Sequence, residues 1–210
     1  MSLPRILADV EKGVLPAPDG GVTMVPQPSE RDAGVFSFSA HAVVFTDTDP
    51  DWMRGLLTPG DLAAPLSPAF LDALGRRVGR RVENIDMMVL AQPLPGPPDL
   101  RLEPTTDRAH PRIVRALRRR DDVRAWTTPG GTVLIGRGVG GRWEAALEVD
   151  PGARGTGLGR RLARAARHLV PDGRPLWAQI APGNAASVRA FLAAGYVPVG
   201  AEALLITAHG

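Results

Sequence analysis

A mixed α/β fold, a sheet with helices on both faces, is predicted by the order of elements along the chain. Three observations carry this. Several strand-like segments precede the first long helical one, after which strand and helix alternate. Residues 142–149 have period two, with Trp143, Ala145, Leu147 and Val149 on one face and Arg142, Glu144, Ala146 and Glu148 on the other. That strand runs into a glycine-rich turn, and the turn opens a helix.

The chain has 210 residues, room for one large domain or two small ones. Apolar residues make up 44% and charged ones 22%, which is a globular composition. The clearest boundary is Gln92–Pro98, where four prolines fall in seven residues. Such a run continues neither a helix nor a central strand and makes a stiff spacer. It separates a small N-terminal α/β unit, residues 1–98, from a larger segment, residues 99–210.

In the first unit, Val22–Val25 and Val35–Thr46 read as strands. Trp52–Leu57 reads as a short helix. A better helix starts at Ser67-Pro68, with serine as N-cap, proline at the first helical position, and an apolar stripe of Phe70, Leu71, Leu74 and Val78. Ile85–Leu90 reads as a buried strand. In the second segment, Leu100–Leu102 is expected as a short strand and Arg108–Leu117 as a helix. Val123–Thr127 and Thr132–Ile135 form strands around the turn Pro129-Gly130-Gly131. A turn at Gly138–Gly141 leads into the alternating strand 142–149. The next helix extends to Val170 and is stopped by Pro171-Asp172-Gly173. Leu176–Ile180 is a strand, and Asn184–Ala194 a helix ended by Gly195. Val197–Val199 and Ala203–Thr207 close the chain as strands.

Composition excludes several chemistries. There is no cysteine, hence no disulfide, no thiol nucleophile and no cysteine-ligated metal. Four scattered histidines lack metal-ligand spacing. No apolar run reaches the ~20 residues that span a bilayer, and Met1–Val14 is not a basic stretch followed by an apolar one. A cytoplasmic protein without metal or membrane partner is expected. Charge is unevenly spread. Residues 1–100 carry 8 basic and 13 acidic groups, residues 101–170 carry 15 and 7, and the whole chain is +3. All but one of the basic residues, Lys12, are arginines, which suit phosphate contacts.

The stretch Val149-Asp-Pro-Gly-Ala-Arg154-Gly-Thr-Gly157-Leu-Gly159-Arg-Arg161 has the parts of an anion cradle. Backbone N–H groups converge at the helix start, and glycines let a phosphate come close. The spacing fits neither a P-loop, which needs Gly-Lys-Ser/Thr, nor a Gly-x-Gly-x-x-Gly fingerprint. Arg154-x-x-Gly157-x-Gly159 fits Arg/Gln-x-x-Gly-x-Gly/Ala. A second pattern follows with one strand between: Asn184, Ser187, Phe191, Gly195 and Tyr196 at intervals of three, four, four and one. In order and spacing the two motifs resemble the GNAT superfamily of acyl-CoA-dependent N-acyltransferases, over roughly residues 99–210.

That resemblance implies a GNAT-type domain with acetyl-CoA in a V-shaped gap between strands 142–149 and 176–180. Pyrophosphate would rest on Arg154, Gly155, Thr156, Gly157, Leu158, Gly159 and Arg160, with Arg161 nearby. Leu147, Glu148 and Val149 would pair with the pantetheine amides. Asn184, with Ser187 and Phe191 on its helix, would meet the pantetheine arm. A primary amine, on a small molecule or a peptide, would attack the thioester directly.

The positions where family members place a base fall on Trp143 and Ala145, and the usual tyrosine acid falls on Phe191. Glu144 is left as the catalytic candidate on the strand, in competition with a solvated-face reading. Asp47, Asp49 and Asp51 either supply acids to the acceptor or form a turn and helix cap. His41 belongs to core or site, and His168 to a helix end. Arg118–Arg120 either touch nucleic acid or end a helix, and the latter is expected. An N-acetyltransferase is the reading chosen, against a catalytically degenerate CoA-binding sensor or partner-binding module and, third, a nucleic-acid binder, for which the arginine-rich segment argues and against which the single lysine argues.

Overall fold

The computed structural model describes residues 1–107 and 109–207, so the expected helix start at Arg108 lies outside the described residues. The chain is mixed α/β. It divides into two compact units, Met1–Met87 together with the chain from Val199, and Met88–Pro198. Gln92–Pro98 lies within the second.

The first unit begins with a helix, α1 (Leu3–Glu11), which sequence reading passed over. Leu3, Ile6, Leu7 and Val10 form its buried stripe at helical spacing. Strands β1 (Val22–Val25), β2 (Ala33–Phe38) and β3 (His41–Phe45) follow. The segment expected as one strand, Val35–Thr46, is thus a hairpin. Phe38 pairs with His41 across Ser39-Ala40, and Ala40 takes a left-handed φ of 53°. No glycine or asparagine marks the turn, so its place was hidden. Helices α2 (Pro50–Arg54) and α3 (Pro68–Val78) come next. Ser67 caps α3 by accepting from the Phe70 N–H, as predicted.

Strand β4 (Arg80–Ala91) begins in this unit, and the last strand, β10 (Val197–Thr207), ends in it. β4 starts five residues ahead of its predicted first residue, Ile85, because Val82 is the one apolar residue among the five, Arg80–Asn84, that precede it. The two strands predicted over Val197–Thr207 are a single one. β1 runs parallel to β3, while β2 is antiparallel to β3 and to β10. Ala33, Val35, Val44, Met53, Phe70, Leu71, Leu74, Ala203 and Leu205 form the core.

In the second unit, β5 (Glu103–Thr105) replaces the strand expected at Leu100–Leu102. Then come α4 (Pro111–Arg119), β6 (Asp121–Thr128), β7 (Gly131–Arg137), β8 (Trp143–Val149), α5 (Leu158–Ala166), β9 (Leu176–Ile180) and α6 (Ala185–Ala193). β5 to β8 pair antiparallel in sequence order, and β9 adds parallel to β8. Helices cover both faces. Ile113 and Ala116 of α4 pack with Leu134 and Ala146. On the other face α5 rests its Leu158 and Leu162 over Gly131. α5 ends at Ala166, short of the predicted Val170.

Candidate active site

β8 is paired along its full length to β7, from Gly131↔Val149 to Arg137↔Trp143. Its other edge is different. The parallel register with β9 covers Trp143↔Leu176, Glu144↔Trp177 and Ala145↔Ala178. It stops there, although both strands continue, β8 by four residues and β9 by two. Past this vertex the β8 edge carrying Leu147, Glu148 and Val149 meets no registered partner among the described residues. Free strand amides and carbonyls at such an edge can accept an extended, amide-bearing ligand.

Beyond Val149 the chain makes a single 3-10 turn, Pro151–Ala153, and enters the glycine loop. Gly155 and Gly157 have φ of 79° and 81°. This left-handed conformation is strained for any residue with a Cβ. A Cβ at either position would meet nothing within 4 Å, so the space before the loop is open. The Thr156 hydroxyl donates to the Ala153 carbonyl at 2.7 Å, and Arg154 Nε reaches the Val149 carbonyl at 3.5 Å. Both bonds tie the loop back to its own base. The N–H groups from Gly155 to Arg160 have no acceptor among the described residues, and the first intrahelical bond comes from Arg161 N–H to the Gly157 carbonyl. Gly157 is the N-cap and has no side chain to satisfy them. A run of unsatisfied donors at the positive end of a helix dipole is an anion site in form. Leu158 anchors the helix in the core, Gly159 lies beside Val149 and Ala190, and Arg160 and Arg161 project to solvent.

Glu144 lies just before the vertex and is 4% exposed. It is bracketed by two arginines: Arg142 Nε donates to Oε1 at 2.8 Å and Arg120 Nε to Oε2 at 2.7 Å. Burial is the largest single influence on its pKa and pushes it up. The two positive charges and their hydrogen bonds outweigh this, and the carboxyl is held below its ordinary value. Arg142 also lies over the Trp177 ring at 5.1 Å. Arg120 Nη2 donates to Gln179 Oε1 at 3.1 Å. Trp177 and Gln179 were not singled out from sequence, Arg120 was read only as part of the Arg118–Arg120 helix end, and Arg142 only as part of the alternating strand. The one visible signal was the i, i+2 spacing of Arg142 and Glu144 on one strand face. Of the Arg118–Arg120 run, Arg120 faces this buried cluster.

Glu148, two residues past Ala146 on the same face as Glu144, pairs with Arg112 of α4 at 3.0 Å, both side chains partly exposed. Trp143 and Ala145 are buried. On α6, Asn184 accepts from the Ser187 N–H at 3.1 Å and caps the helix. Phe191 packs edge-to-face on Tyr196, ring centroids 4.9 Å apart, and both are buried. The Tyr196 hydroxyl donates to the Ala163 carbonyl at 3.2 Å, and burial drives its pKa far above the usual phenol value.

The remaining candidates have local partners. Asp47 accepts from the Gln27 N–H at 3.1 Å, Asp49 caps α2 through the Asp51 N–H at 3.0 Å, and Asp51 pairs with Arg54. His41 bridges Asp19 and Thr23 at 2.7 and 2.9 Å. His168 meets the Pro95 and Gly96 carbonyls at 3.1 and 3.0 Å. Among the described residues no group of three or more His, Asp or Glu is placed to hold a metal ion, and no helix is long and apolar enough to cross a membrane.

Residues 101–196, from β5 through α6, match the model of the acetyltransferase (GNAT) family, and this segment is a GNAT acetyltransferase domain. Two solved structures are similar over 67% of this chain. One is a GCN5-related N-acetyltransferase from Kribbella flavida, at 17% identity with a TM-score of 0.44. The other is an acetyltransferase from the GNAT family of Colwellia psychrerythraea, at 10% identity with a TM-score of 0.39. The match covers 64% and 63% of those chains, just under two thirds of each. No curated protein shows significant similarity to this chain.

Proposed function

We propose that this protein is an acyl-CoA-dependent N-acetyltransferase that moves an acetyl group from acetyl-CoA to a primary amine by direct attack in a ternary complex. One observation carries the reading: a run of unsatisfied N–H groups, Gly155 to Arg160, opens α5 immediately beyond a strand that parts from its parallel neighbour. Pyrophosphate fits the first feature and the pantetheine amides fit the second, with Leu147, Glu148 and Val149 as the strand contacts. Asn184 and Ser187 stand at the start of α6, exposed and half-buried, for the pantetheine arm. Phe191 supports that helix from within rather than from its surface. The acyl carbon then comes to the vertex between Ala145 and Ala178.

In the reaction the amine nitrogen attacks the thioester carbonyl, a C–N bond forms and the C–S bond breaks. The nitrogen sheds one proton and the departing thiolate gains one. Glu144 is poorly suited to take the amine proton directly, because two arginines already hold its charge. Its part in this reading is to position Arg120 and Arg142 beneath the vertex, and the proton leaves through water. The Tyr196 phenol, buried and already donating, is no acid for the thiolate.

Those two features favour the second reading, a CoA-binding module without turnover, and the experiment separates the two. Calorimetry should show micromolar binding of acetyl-CoA, abolished in Gly157→Glu, where a carboxylate would enter the anion cradle. CoA release with a panel of primary amines should show turnover in the wild type. Unchanged affinity in Gly157→Glu would overturn the site. Binding without amine-dependent release would establish the module instead.

A further inference from the structure

We propose that Gln179 is a catalytic hydrogen-bond donor, its side-chain amide pointing a proton at the acyl carbonyl oxygen as the amine attacks; this rests on the acyltransferase reading above. Gln179 is the first residue of β9 beyond the last β8–β9 pair, so it stands at the vertex where the acyl group would end. Its Nε2 is shut from solvent and has no hydrogen-bond partner among the described residues. A buried donor without an acceptor raises the free energy of the resting chain, and native structures rarely keep one without use.

The orientation of the amide follows from its neighbour. Arg120 donates to Gln179 Oε1 at 3.1 Å. A guanidinium has donors only, so the amide oxygen faces it and the NH2 points the other way. Arg120 is itself fixed, through Nε, to the buried Glu144 at 2.7 Å, and Glu144 to Arg142 at 2.8 Å. The amide therefore hangs on a rigid chain rather than on a mobile side chain. A positive charge on the amide oxygen also withdraws electron density from nitrogen and makes its N–H a stronger donor.

The chemistry uses such a donor. When the amine forms the C–N bond, the carbonyl π pair moves onto oxygen. It returns as the C–S bond breaks and CoA leaves as thiolate, which takes up the proton lost by nitrogen. Gln179 keeps its own proton throughout and lowers the energy of the oxyanion between these events. Arg120 and Glu144 become positioning residues for this donor.

The test uses the full-length protein, acetyl-CoA and a primary amine the wild type accepts. Gln179→Glu keeps the shape and the Arg120 partner but replaces the donor by an acceptor. Gln179→Leu removes both, and Gln179→Asn keeps the amide on a shorter stem. The kcat of Gln179→Glu should fall about 10²–10³-fold, the usual effect of losing one oxyanion donor. Its acetyl-CoA affinity by calorimetry and its melting temperature should stay near wild type. Gln179→Leu should lose as much kcat, and Gln179→Asn should recover part of it. A kcat for Gln179→Glu within about threefold of wild type, in a variant that binds acetyl-CoA normally, would overturn the donor while leaving the acyltransferase reading intact. Absence of turnover in the wild type with every amine would overturn both.

Discussion

Glu144 keeps a full negative charge inside the protein because two arginines share it. Its side chain is 5% exposed, Arg142 is completely enclosed and Arg120 is 13% exposed. Removing one member leaves the others as buried charge without compensation, so Glu144→Gln should lower the unfolding free energy by about 3–5 kcal/mol at neutral pH. Its pH dependence follows from the lowered pKa. The unfolded chain binds this proton near the ordinary value of 4.5, and the folded chain only below it. The stabilisation is therefore fully present above 4.5 and is lost as pH falls through the folded value. Urea unfolding of wild type and Glu144→Gln should show a wide gap at neutral pH that narrows as pH falls below 4.5 through the folded value. A constant gap would mean the carboxyl titrates alike in both states. Sequence placed Glu144 on the correct strand face but left open whether that face was solvated. Its second partner, Arg120, is 24 residues away at the end of α4. Period two alone does not say that a charged face is buried.

Helix α5 approaches the sheet more closely than a side chain at residue 131 would permit. A Cβ on Gly131 would come within 2.8 Å of Leu162 Cδ1 and 2.9 Å of the Glu148 carbonyl oxygen. The leucine tip can give way. The carbonyl cannot, because it belongs to the β8 backbone paired along β7. Gly131→Ala should therefore cost about 1–3 kcal/mol, the range for overpacking a filled core. Leu158 and Leu162 occupy the opening turns of α5, so moving them also moves the loop N–H groups, and CoA affinity should fall alongside stability. Denaturation and calorimetry on the same variant measure both. Unchanged stability would show that the helix yields freely at this point. Elements with their own end signals were legible: α3 from Ser67-Pro68, α6 from Asn184 and from Gly195, whose φ is 86°. The vertex was not. Strand residues Ala146–Val149 look the same in sequence whether their edge is paired or open, so the resemblance, rather than the alternation, led to the gap.

At the scale of the whole chain, the proline-rich run suggested a boundary that the backbone does not treat as a clean cut. β4 passes from the first unit into the second across Met87 and Met88, and β10 returns from the second to the first across Pro198 and Val199. The return could not be read from local composition, since a strand's partner is set by tertiary pairing and not by its own residues. It has a consequence for fragments. The first unit pairs β2 with β10 from Ser37↔Ala201 to Ala33↔Leu205, and Ala203 and Leu205 belong to its core. A chain ending at residue 98 keeps β1, β2 and β3 but lacks that strand. Ala33 and Val35, both essentially unexposed in the intact protein, then open to water, and β2 becomes an unpaired edge prone to association. Such a fragment should show no cooperative calorimetric transition and should aggregate. Joining residues 199–207 through a flexible glycine-serine linker to residue 87 returns the missing strand and should restore a single transition. A sharp transition in the 1–98 fragment alone would mean that helices α1 and α3 close its core without β10, and the returning strand would then serve the second unit's architecture rather than the first unit's stability.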